Sequence, residues 1–419
     1  MDPGRGRGRR RAARSLPAQR RQPGALREGR AAKLIFDRRG WQNEMRVALF
    51  LTMPTSPGAP SALPKPSSAL RTRTRKPRGA ATVRDVAALA GVSVATVSRV
   101  LNGKHTVAET LRDVVMKAAQ QLAFTPHAAA KALATRRFMT IGAIVPTLED
   151  PAFAAGVAAL QHAVNLRGYT LLLASSNYDA KEELRQVQAM VGQGIAGLML
   201  VGARRSQDVY ATLDAQRVPF INTWVLDEAH ACVGFDNHAI GRTLANYLLD
   251  LGHTEFGIIA QHSPDSDRAA QRVAGVREAL ALRGVQLLQE RLIERSHKIA
   301  DGQLALRTLL QSPRRPTAVM CGTDTLAFGA LVEASAQGLN VPGDLSITGI
   351  NDAEFAAHLA PALTTIRLPA EEVGARAAEY LIGRIDGGPV VARTPLQFSL
   401  IVRASTSGVR TRTPVLTKF

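Results

Sequence analysis

From about residue 140 the chain alternates short apolar runs with longer amphipathic stretches. A short continuous apolar run is typical of a strand buried on both faces, and an amphipathic stretch with a 3.6-residue repeat is typical of a helix covering a sheet. The predicted strands are 141–145, 170–174, 198–201, 220–224, 256–260, 318–321 and 345–349. The predicted helices are 153–166, 182–191, 206–215, 268–282 and 326–336. This alternation predicts two doubly wound α/β lobes with a cleft at the carboxyl ends of their parallel strands.

Residues 82–102 have a different pattern, which predicts two short helices joined by a tight turn. Thr82 and Asp85 have the spacing of a capping box at the start of the first helix. Gly91 stands where that helix ends, and Ser93 follows as the cap of the second helix. The predicted apolar contacts between the helices come from Val86, Leu89, Ala90, Val97, Val100 and Leu101.

The second of these helices leaves a polar surface that suits DNA. Arg99 can donate two hydrogen bonds to guanine O6 and N7, and Val94 and Ala95 can contact thymine methyl groups. Short hydroxyl and amide side chains beside them suit phosphate oxygens. A recognition helix places such a surface in the major groove, whereas the alternative is a solvated helical hairpin. The predicted DNA-binding residues here are Thr82, Ser93, Val94, Ala95, Thr96, Ser98, Arg99 and Asn102.

The same residues resemble the helix-turn-helix of the LacI/GalR family of bacterial regulators. The matching runs are 85–87, 90–93 and 96–102, and the similarity extends from about Thr82 to Ala404. One departure is Ala108, where the family often has a serine that caps the third helix. The resemblance implies a sequence-specific transcription regulator, most often a repressor, that responds to a small-molecule effector.

Residues 124–133 resemble the hinge of that family. An alanine-rich segment after a proline forms a weak helix that needs a partner to become ordered. In the family two hinge helices of a dimer enter the minor groove of the operator. The resemblance therefore implies DNA contacts by Lys131 and Leu133, with Leu133 as a wedge between base pairs. The alternative is a linker helix in which Leu133 packs inward.

For residues 140–404 the resemblance implies a type I periplasmic-binding-protein fold, with the effector between the lobes. The supporting strings, in chain order, are 150–153, 233–237, 268–275, 322–324, 349–352 and 363–366. Aromatic side chains at strand-to-helix loops can pack on a sugar ring or an acyl chain, and arginines can bind an anion or hydroxyl groups. The candidate effector-binding residues are Phe153, Trp224, Arg268, Arg272, Thr323 and Asn351. For each of these residues a structural role is the alternative.

Two departures bear on the identity of the effector. Asn351 stands where many relatives have a ligand-binding aspartate, and Thr323 where some have asparagine, which argues against a lactose-like specificity. The run Asn222-Thr223-Trp224 resembles the Glu-Thr-Trp of the gluconate-responsive branch. With two arginines also expected near the cleft, this suggests a sugar or sugar acid as effector.

Charge adds little to the case for DNA, because it is concentrated outside the expected folded domains. Of the net charge of +19 over 419 residues, +16 falls in residues 1–80, which hold 20 Lys and Arg against 4 Asp and Glu. This extension is rich in Arg, Pro, Gly and Ala, so we expect it to be disordered. It is either a basic arm that adds phosphate affinity, a transit peptide, or an untranslated stretch before a start at Met53.

Other classes of protein are disfavoured. Gly192, Gly194 and Gly197 match the dinucleotide fingerprint by letter, but they follow a predicted helix and precede a strand, the reverse of a phosphate-binding order. The motifs of metalloproteases and of serine hydrolases are missing, so we expect no enzyme activity, no catalytic residue, no cofactor and no metal. Cys232 and Cys321 have no metal-ligand spacing and suit a reducing compartment. A solute-binding sensor and an enzyme on a doubly wound fold remain the rival functions.

The expected protein is therefore a cytoplasmic regulator without a membrane span, whose partners are double-stranded DNA and a small effector. No leucine heptads follow Ile401, so we expect a homodimer, whose two-fold symmetry predicts a pseudo-palindromic operator. The predicted domains are a basic extension (1–80), a helix-turn-helix domain (81–125), a hinge (126–139), a two-lobed effector domain (140–404) and a tail (405–419).

Overall fold

The computed structural model describes residues 81–101, 107–125, 138–261 and 266–409. The predictions for the extension, for Asn102, for Lys131 and Leu133 in the hinge, and for the end of the tail lie outside the described residues. The helices are α1 (Val83–Ala90), α2 (Val94–Leu101), α3 (Glu109–Gln121), α4 (Pro151–Asn165), α5 (Ala180–Gly192), α6 (Gln207–Ala215), α7 (Asn237–Asp250), α8 (Asp267–Leu282), α9 (Ile299–Leu310), α10 (Asp324–Ala336) and α11 (Ala370–Asp386). The strands are β1 (Thr140–Val145), β2 (Thr170–Ser175), β3 (Gly197–Val201), β4 (Phe220–Thr223), β5 (Cys232–Gly234), β6 (Phe256–Gln261), β7 (Leu292–Arg295), β8 (Ala318–Cys321), β9 (Ser346–Asn351), β10 (Thr364–Arg367), β11 (Arg393–Pro395) and β12 (Ser399–Ile401).

Helices α1 to α3 pack around a small core centred on Val86, Val97 and Val115, each of which is fully buried. The prediction that Leu89 contributes to this core was wrong, because its side chain is 51% exposed. Ala87 is buried instead, since the apolar face of α1 runs through positions 86, 87 and 90 and turns residue 89 outward. Small residues suffice because three short helices enclose little volume.

The rest of the described chain forms two lobes, each built on a six-stranded sheet. The sheet of lobe 1 has the order β11-β5-β4-β3-β1-β2 and is parallel throughout. The sheet of lobe 2 has the order β12-β10-β9-β8-β6-β7, with β12 antiparallel to β10 at one edge. Helices cover both faces of each sheet, so the strands are apolar on both sides, as their continuous apolar runs predict.

Three pairs of helices approach one another closely through glycines. Gly156 of α4 lies against Gly374 of α11, and Gly302 of α9 lies against Gly329 of α10. Between α7 and α8, Gly275 contacts the backbone of His238. A Cβ atom at Gly374, Gly302, Gly329 or Gly275 would collide with backbone of the facing helix, and one at Gly156 would collide with the indole of Trp224. These positions therefore need glycine for packing rather than for conformational freedom.

The chain crosses between the lobes three times, after β5, after β10 and after β11. Hydrogen bonding to lobe 2 continues past the expected domain end at residue 404. Ser405 is fully buried and donates through Oγ to the Ile347 carbonyl, and Tyr247 Oη pairs with Thr406 Oγ1 at 2.7 Å. None of the described helices has both the length and the apolar composition needed to cross a membrane.

Candidate DNA-binding and effector-binding sites

The first turn of each helix in the helix-turn-helix is capped as the sequence predicts. Thr82 Oγ1 accepts from Asp85 N at 3.3 Å, and Asp85 Oδ2 accepts from Thr82 N at 2.8 Å, which completes the capping box. Gly91 adopts a left-handed conformation with φ of 62° and ends α1. Ser93 Oγ accepts from Thr96 N at 3.1 Å and so caps the first turn of α2.

The surface of α2 that faces away from this core carries the remaining predicted residues. Val94 is 45% exposed, Ala95 and Arg99 are exposed, and Ser98 is partly exposed. Arg99 Nε donates to the Ala95 carbonyl at 3.3 Å, and its terminal nitrogens make no hydrogen bond to a described residue. At the start of α3, Ala108 makes no side-chain cap, as its departure from the family pattern implies.

The cleft of the two-lobed domain lies at the carboxyl ends of the strands, and side chains from both lobes meet there. Asn351 Nδ2, at the end of β9, donates to Asp150 Oδ1 of lobe 1 at 3.1 Å. Gln261 Nε2, at the end of β6, donates to Tyr178 Oη of lobe 1 at 2.6 Å. His297 Nε2 lies 2.7 Å from Glu149 Oε2 at the rim. The lobes are therefore joined by polar groups.

A fourth interlobe contact is made by Asp267, the first residue of α8. Its Oδ2 accepts from the backbone amides of Ala203 and Arg204 in lobe 1 at 2.6 and 3.1 Å. Its Oδ1 accepts from Arg268 N at 2.8 Å and from Arg268 Nη1 at 3.2 Å. All the hydrogen-bonding capacity of this carboxylate is thus used in joining the lobes and in holding Arg268.

The electrostatics of the cleft are set by Arg268, Arg272 and Asp150. Arg268 is 6% exposed, and its guanidinium lies 5.9 Å from the centre of the Phe153 ring. Arg272 Nε donates to Asn237 Oδ1 at 2.9 Å and Nη1 donates to the Gly322 carbonyl at 3.2 Å. Burial, together with the charge of Arg268, lowers the pKa of Arg272 to about 10, so it is still a cation at neutral pH. Burial raises the pKa of Asp150, against the hydrogen bond from Ala152 N and the charge of Arg272.

The other candidate effector residues have structural partners as well. Phe153, in the first turn of α4, and Trp224, directly after β4, pack edge to face with ring centres 5.2 Å apart. Both are buried, at 5% and 1% exposed, and the Trp224 Nε1 atom has no hydrogen-bond partner. Thr323 caps α10 by accepting from Leu326 N at 3.2 Å. Asn351 alone among these four directs its polar group to the facing lobe.

Sequence reasoning missed Asp150 as a site residue, together with Tyr178, Gln261 and Asp267. Asp150 caps α4 and Asp267 is the first residue of α8, where an acidic residue ordinarily stabilises its own helix, so the sequence does not signal their contacts with the facing lobe. The rejected glycine motif is confirmed as a decoy, since α5 ends at Gly192 and β3 begins at Gly197. In the described part of the chain no group of three or more acidic, His or Cys side chains is arranged to hold a metal.

Comparison with known proteins gives the family. Residues 82–127 match the model of bacterial regulatory proteins of the lacI family, and residues 245–406 match a periplasmic binding protein-like domain. Over 308 residues the chain is 35% identical to the ribose operon repressor of Haemophilus influenzae, covering 73% of this chain and 92% of that protein. The chain belongs to the LacI family.

Solved structures agree with this LacI-family assignment. The Lac repressor dimer bound to operator and the anti-inducer ONPF aligns with a TM-score of 0.70 at 27% identity, over 78% of this chain and 100% of that one. A LacI-family transcriptional regulator from Silicibacter pomeroyi aligns with a TM-score of 0.72 at 25% identity, over 79% and 100% of the two chains. This LacI-family protein is a DNA-binding transcriptional regulator under small-molecule control.

Proposed function

We propose that this LacI-family protein is a homodimeric repressor whose cleft binds a sugar acid, and that the bound acid changes the affinity for a pseudo-palindromic operator. The observation that carries the choice of effector is the charge of Arg272. Among the described residues this cation donates only to a neutral amide oxygen and a neutral carbonyl oxygen. Asp150 and Asp267 act on Arg272 through their charge but do not accept a hydrogen bond from it. A guanidinium with no hydrogen-bonded carboxylate favours a ligand that brings one.

The neighbouring side chains suit the hydroxyl groups of such a ligand. Asp150 and Asn351 can exchange their hydrogen bond to one another for hydrogen bonds to a polyol, because carboxylate and amide groups both accept from hydroxyls. The buried Nε1 of Trp224 offers a further donor that is unpaired in this structure. In this proposal Arg268, already paired with Asp267, adds positive potential, whereas Phe153 and Thr323 support the wall of the cleft.

The chain contains two tryptophans, Trp41 and Trp224, so W41F leaves Trp224 as a single fluorescent reporter in the cleft. Titration of the W41F protein with gluconate should change its emission, and titration with glucose should not. In the same background R272Q should weaken gluconate binding by roughly tenfold or more, because a charged hydrogen bond is lost. Equal responses to glucose and gluconate would contradict the assignment of an anionic effector.

The DNA half of the proposal is tested by selecting bound duplexes from a random library near physiological salt. A dimer of this fold should enrich a sequence with two-fold pseudo-symmetry. Adding gluconate to the selected duplex should then shift its dissociation constant. Enrichment of a pseudo-palindrome without any gluconate effect would support the operator-binding dimer and contradict a sugar acid as its effector.

A further inference from the structure

A depression of about 480 Å³ lies on lobe 1, away from the effector cleft. It is formed where α6 ends, where β4 and β5 begin, and where the last turns of α11 pass. The effector cleft lies at the carboxyl ends of these parallel strands, whereas this depression lies at their amino ends. Its size is within the range of small-molecule sites.

Cationic side chains outnumber acidic ones around this depression. Arg217, Arg384 and His230 contribute to its lining, and Asp214 is the one acidic residue among the residues that line it. Arg217 and Arg384 are both exposed and form no ion pair with any described residue. Two other exposed arginines of lobe 1 differ in this respect, since Arg185 pairs with Glu182 at 2.6 Å and Arg376 pairs with Glu379 at 3.0 Å. The depression thus has positive charge that the described chain does not neutralise.

His230 is held rigidly in the wall. Its ring stacks on Tyr210 with centres 4.2 Å apart and planes 6° apart, and Phe220 lies 5.5 Å away. Its Nδ1 is 3.0 Å from Asp227 Oδ2, which also accepts from Asn222 Nδ2 at 2.9 Å. Burial penalises the charge of Asp227, but hydrogen bonds from Ala229 N, His230 and Asn222 outweigh it and hold the pKa of Asp227 below its usual value. Asp227 therefore fixes Nδ1, and Nε2 makes no hydrogen bond within the described residues.

A second, larger depression of about 800 Å³ adjoins the first. Arg217 and Arg384 line both, so the two cations stand between the depressions. The far depression is bordered by Tyr169 and Gln193, which offer an aromatic ring and an amide. An anionic group bound at the arginines would have room for an organic substituent on either side.

We propose that this edge of lobe 1 is a second small-molecule site, which binds a phosphate monoester between Arg217 and Arg384. Two guanidinium groups can donate several hydrogen bonds to the non-bridging oxygens of one phosphate, and arginine matches that geometry better than lysine. His230 Nε2, which makes no hydrogen bond within the described residues, is available to a phosphate oxygen. The Tyr380 hydroxyl, which lines the same depression beside Arg384, is a further donor. The site is independent of the cleft, so a regulator with both would respond to two ligands.

The test is calorimetric titration of the full chain with inorganic phosphate, glycerol 3-phosphate and glucose 6-phosphate, with glucose as the uncharged control. Both esters should bind, phosphate should compete with them, and glucose should give no heat. R217Q/R384Q should weaken ester binding by about a hundredfold, since each lost charged hydrogen bond accounts for about tenfold or more. R376Q is the matched control, because Arg376 is exposed on the same helix α11 and pairs with Glu372 and Glu379.

The variants also separate the sites. The R272Q variant should retain ester binding in full, because Arg272 belongs to α8 of lobe 2, on the effector cleft. Loss of ester binding in R272Q and not in R217Q/R384Q would mean that the ester enters the effector cleft, and would overturn the proposal. So would the absence of heat with every phosphate compound. Weaker DNA binding by R217Q/R384Q without any ester binding would assign the arginines to DNA phosphates and equally reject a small-molecule site.

Discussion

Five non-glycine residues around the cleft have positive φ angles, namely Asn177, Tyr178, Trp224, Asn351 and Asp352. Such a conformation lowers stability by about 1–3 kcal/mol per residue, and it persists only where contacts with the surrounding structure hold it. At Asp352 the holding contacts are visible, since its carboxylate accepts from Arg367 Nε at 2.6 Å and from Arg403 Nη2 at 2.7 Å. This turn directs the Asn351 amide towards Asp150, so strain in the backbone positions a group of the site.

The carboxylate of Asp324 stabilises the same turn. It accepts hydrogen bonds from Ala353 N at 2.7 Å and from Thr365 Oγ1 at 2.5 Å. Burial raises its pKa from 3.8 to about 6, despite these two hydrogen bonds. The folded state therefore holds a proton that the unfolded state releases between pH 4 and 6. Because the folded pKa is the higher one, stability from this group is greatest below about pH 4 and is lost as pH rises through about 6.

As the pH rises, ionisation of Asp324 should lower the free energy of unfolding by about 3 kcal/mol. The D324N variant cannot ionise at this position and should not show this decrease. The free energies of unfolding of the wild type and D324N are compared by urea denaturation at pH 4.5 and pH 7.5. The difference between the two proteins should shift in favour of D324N at the higher pH, while the contributions of other groups cancel. A difference independent of pH would show that Asp324 has the same charge in both states.

At the DNA surface the decisive residue is Arg99. R99A should weaken operator binding by about 1–3 kcal/mol and relax the preference at one base pair, because a bidentate contact to guanine is lost. The measurement is competition binding against a panel of operators with single base changes. R84A, which removes the same charge from α1, is the control, and any effect it has should be equal across the panel. If R99A instead weakened binding to every operator of the panel equally, Arg99 would contact a phosphate and not a base.

Among the elements, the glycine-lined helix pairs are the most sensitive to substitution. G374A would place a methyl group against the backbone of Gly156, so α11 must move away from α4. We expect the overpacking to lower the free energy of unfolding by about 1–3 kcal/mol, measured by urea denaturation. G192A, at a position with open space around it, should change stability by well under that amount. Equal effects of the two would mean that the α4–α11 contact tolerates a methyl group.

Much of this element structure could be predicted from the sequence. The seven predicted strands correspond to β1–β4, β6, β8 and β9, because strands covered on both faces are continuous apolar runs. The strands β5, β7, β10, β11 and β12 were not predicted, since each has only three or four residues and too few consecutive apolar positions to form a run. Leu89 was misplaced because a period of 3.6 fits several adjacent stripes in so short a helix.

The candidate site could be predicted in part only. Arg268 and Arg272 lie in α8 and Asn351 ends β9, which places all three near the interlobe contacts. That they bind an effector stays a prediction. Tyr178 and Gln261 were missed, and their contact joins residues 83 positions apart in the sequence. A hydrogen bond of that span depends on how the lobes meet, which no local pattern records.

At the scale of the whole molecule, the interlobe contacts determine how readily the cleft opens. D267A removes the acceptor for the amides of Ala203 and Arg204, and should shift the closure equilibrium by about 1–3 kcal/mol towards the open form. In the W41F background, acrylamide should then quench Trp224 more strongly, because its indole is 1% exposed in this structure and the residue follows β4 at the interlobe end of the sheet. D208A, at a similar position at the start of α6, should leave the quenching unchanged. Unchanged quenching in D267A would mean that the other contacts suffice.

Because the chain crosses between the lobes three times, lobe 1 cannot be completed before most of lobe 2 has been synthesised. Lobe 1 begins at β1, but it acquires α11 and its edge strand β11 only after nearly all of lobe 2 has left the ribosome. Until then the faces of α4 and β4 that α11 covers remain open to the chaperones and proteases of the cell. A nonsense mutation near codon 365 would therefore leave both lobes unfinished, although it removes only the last small part of the polypeptide.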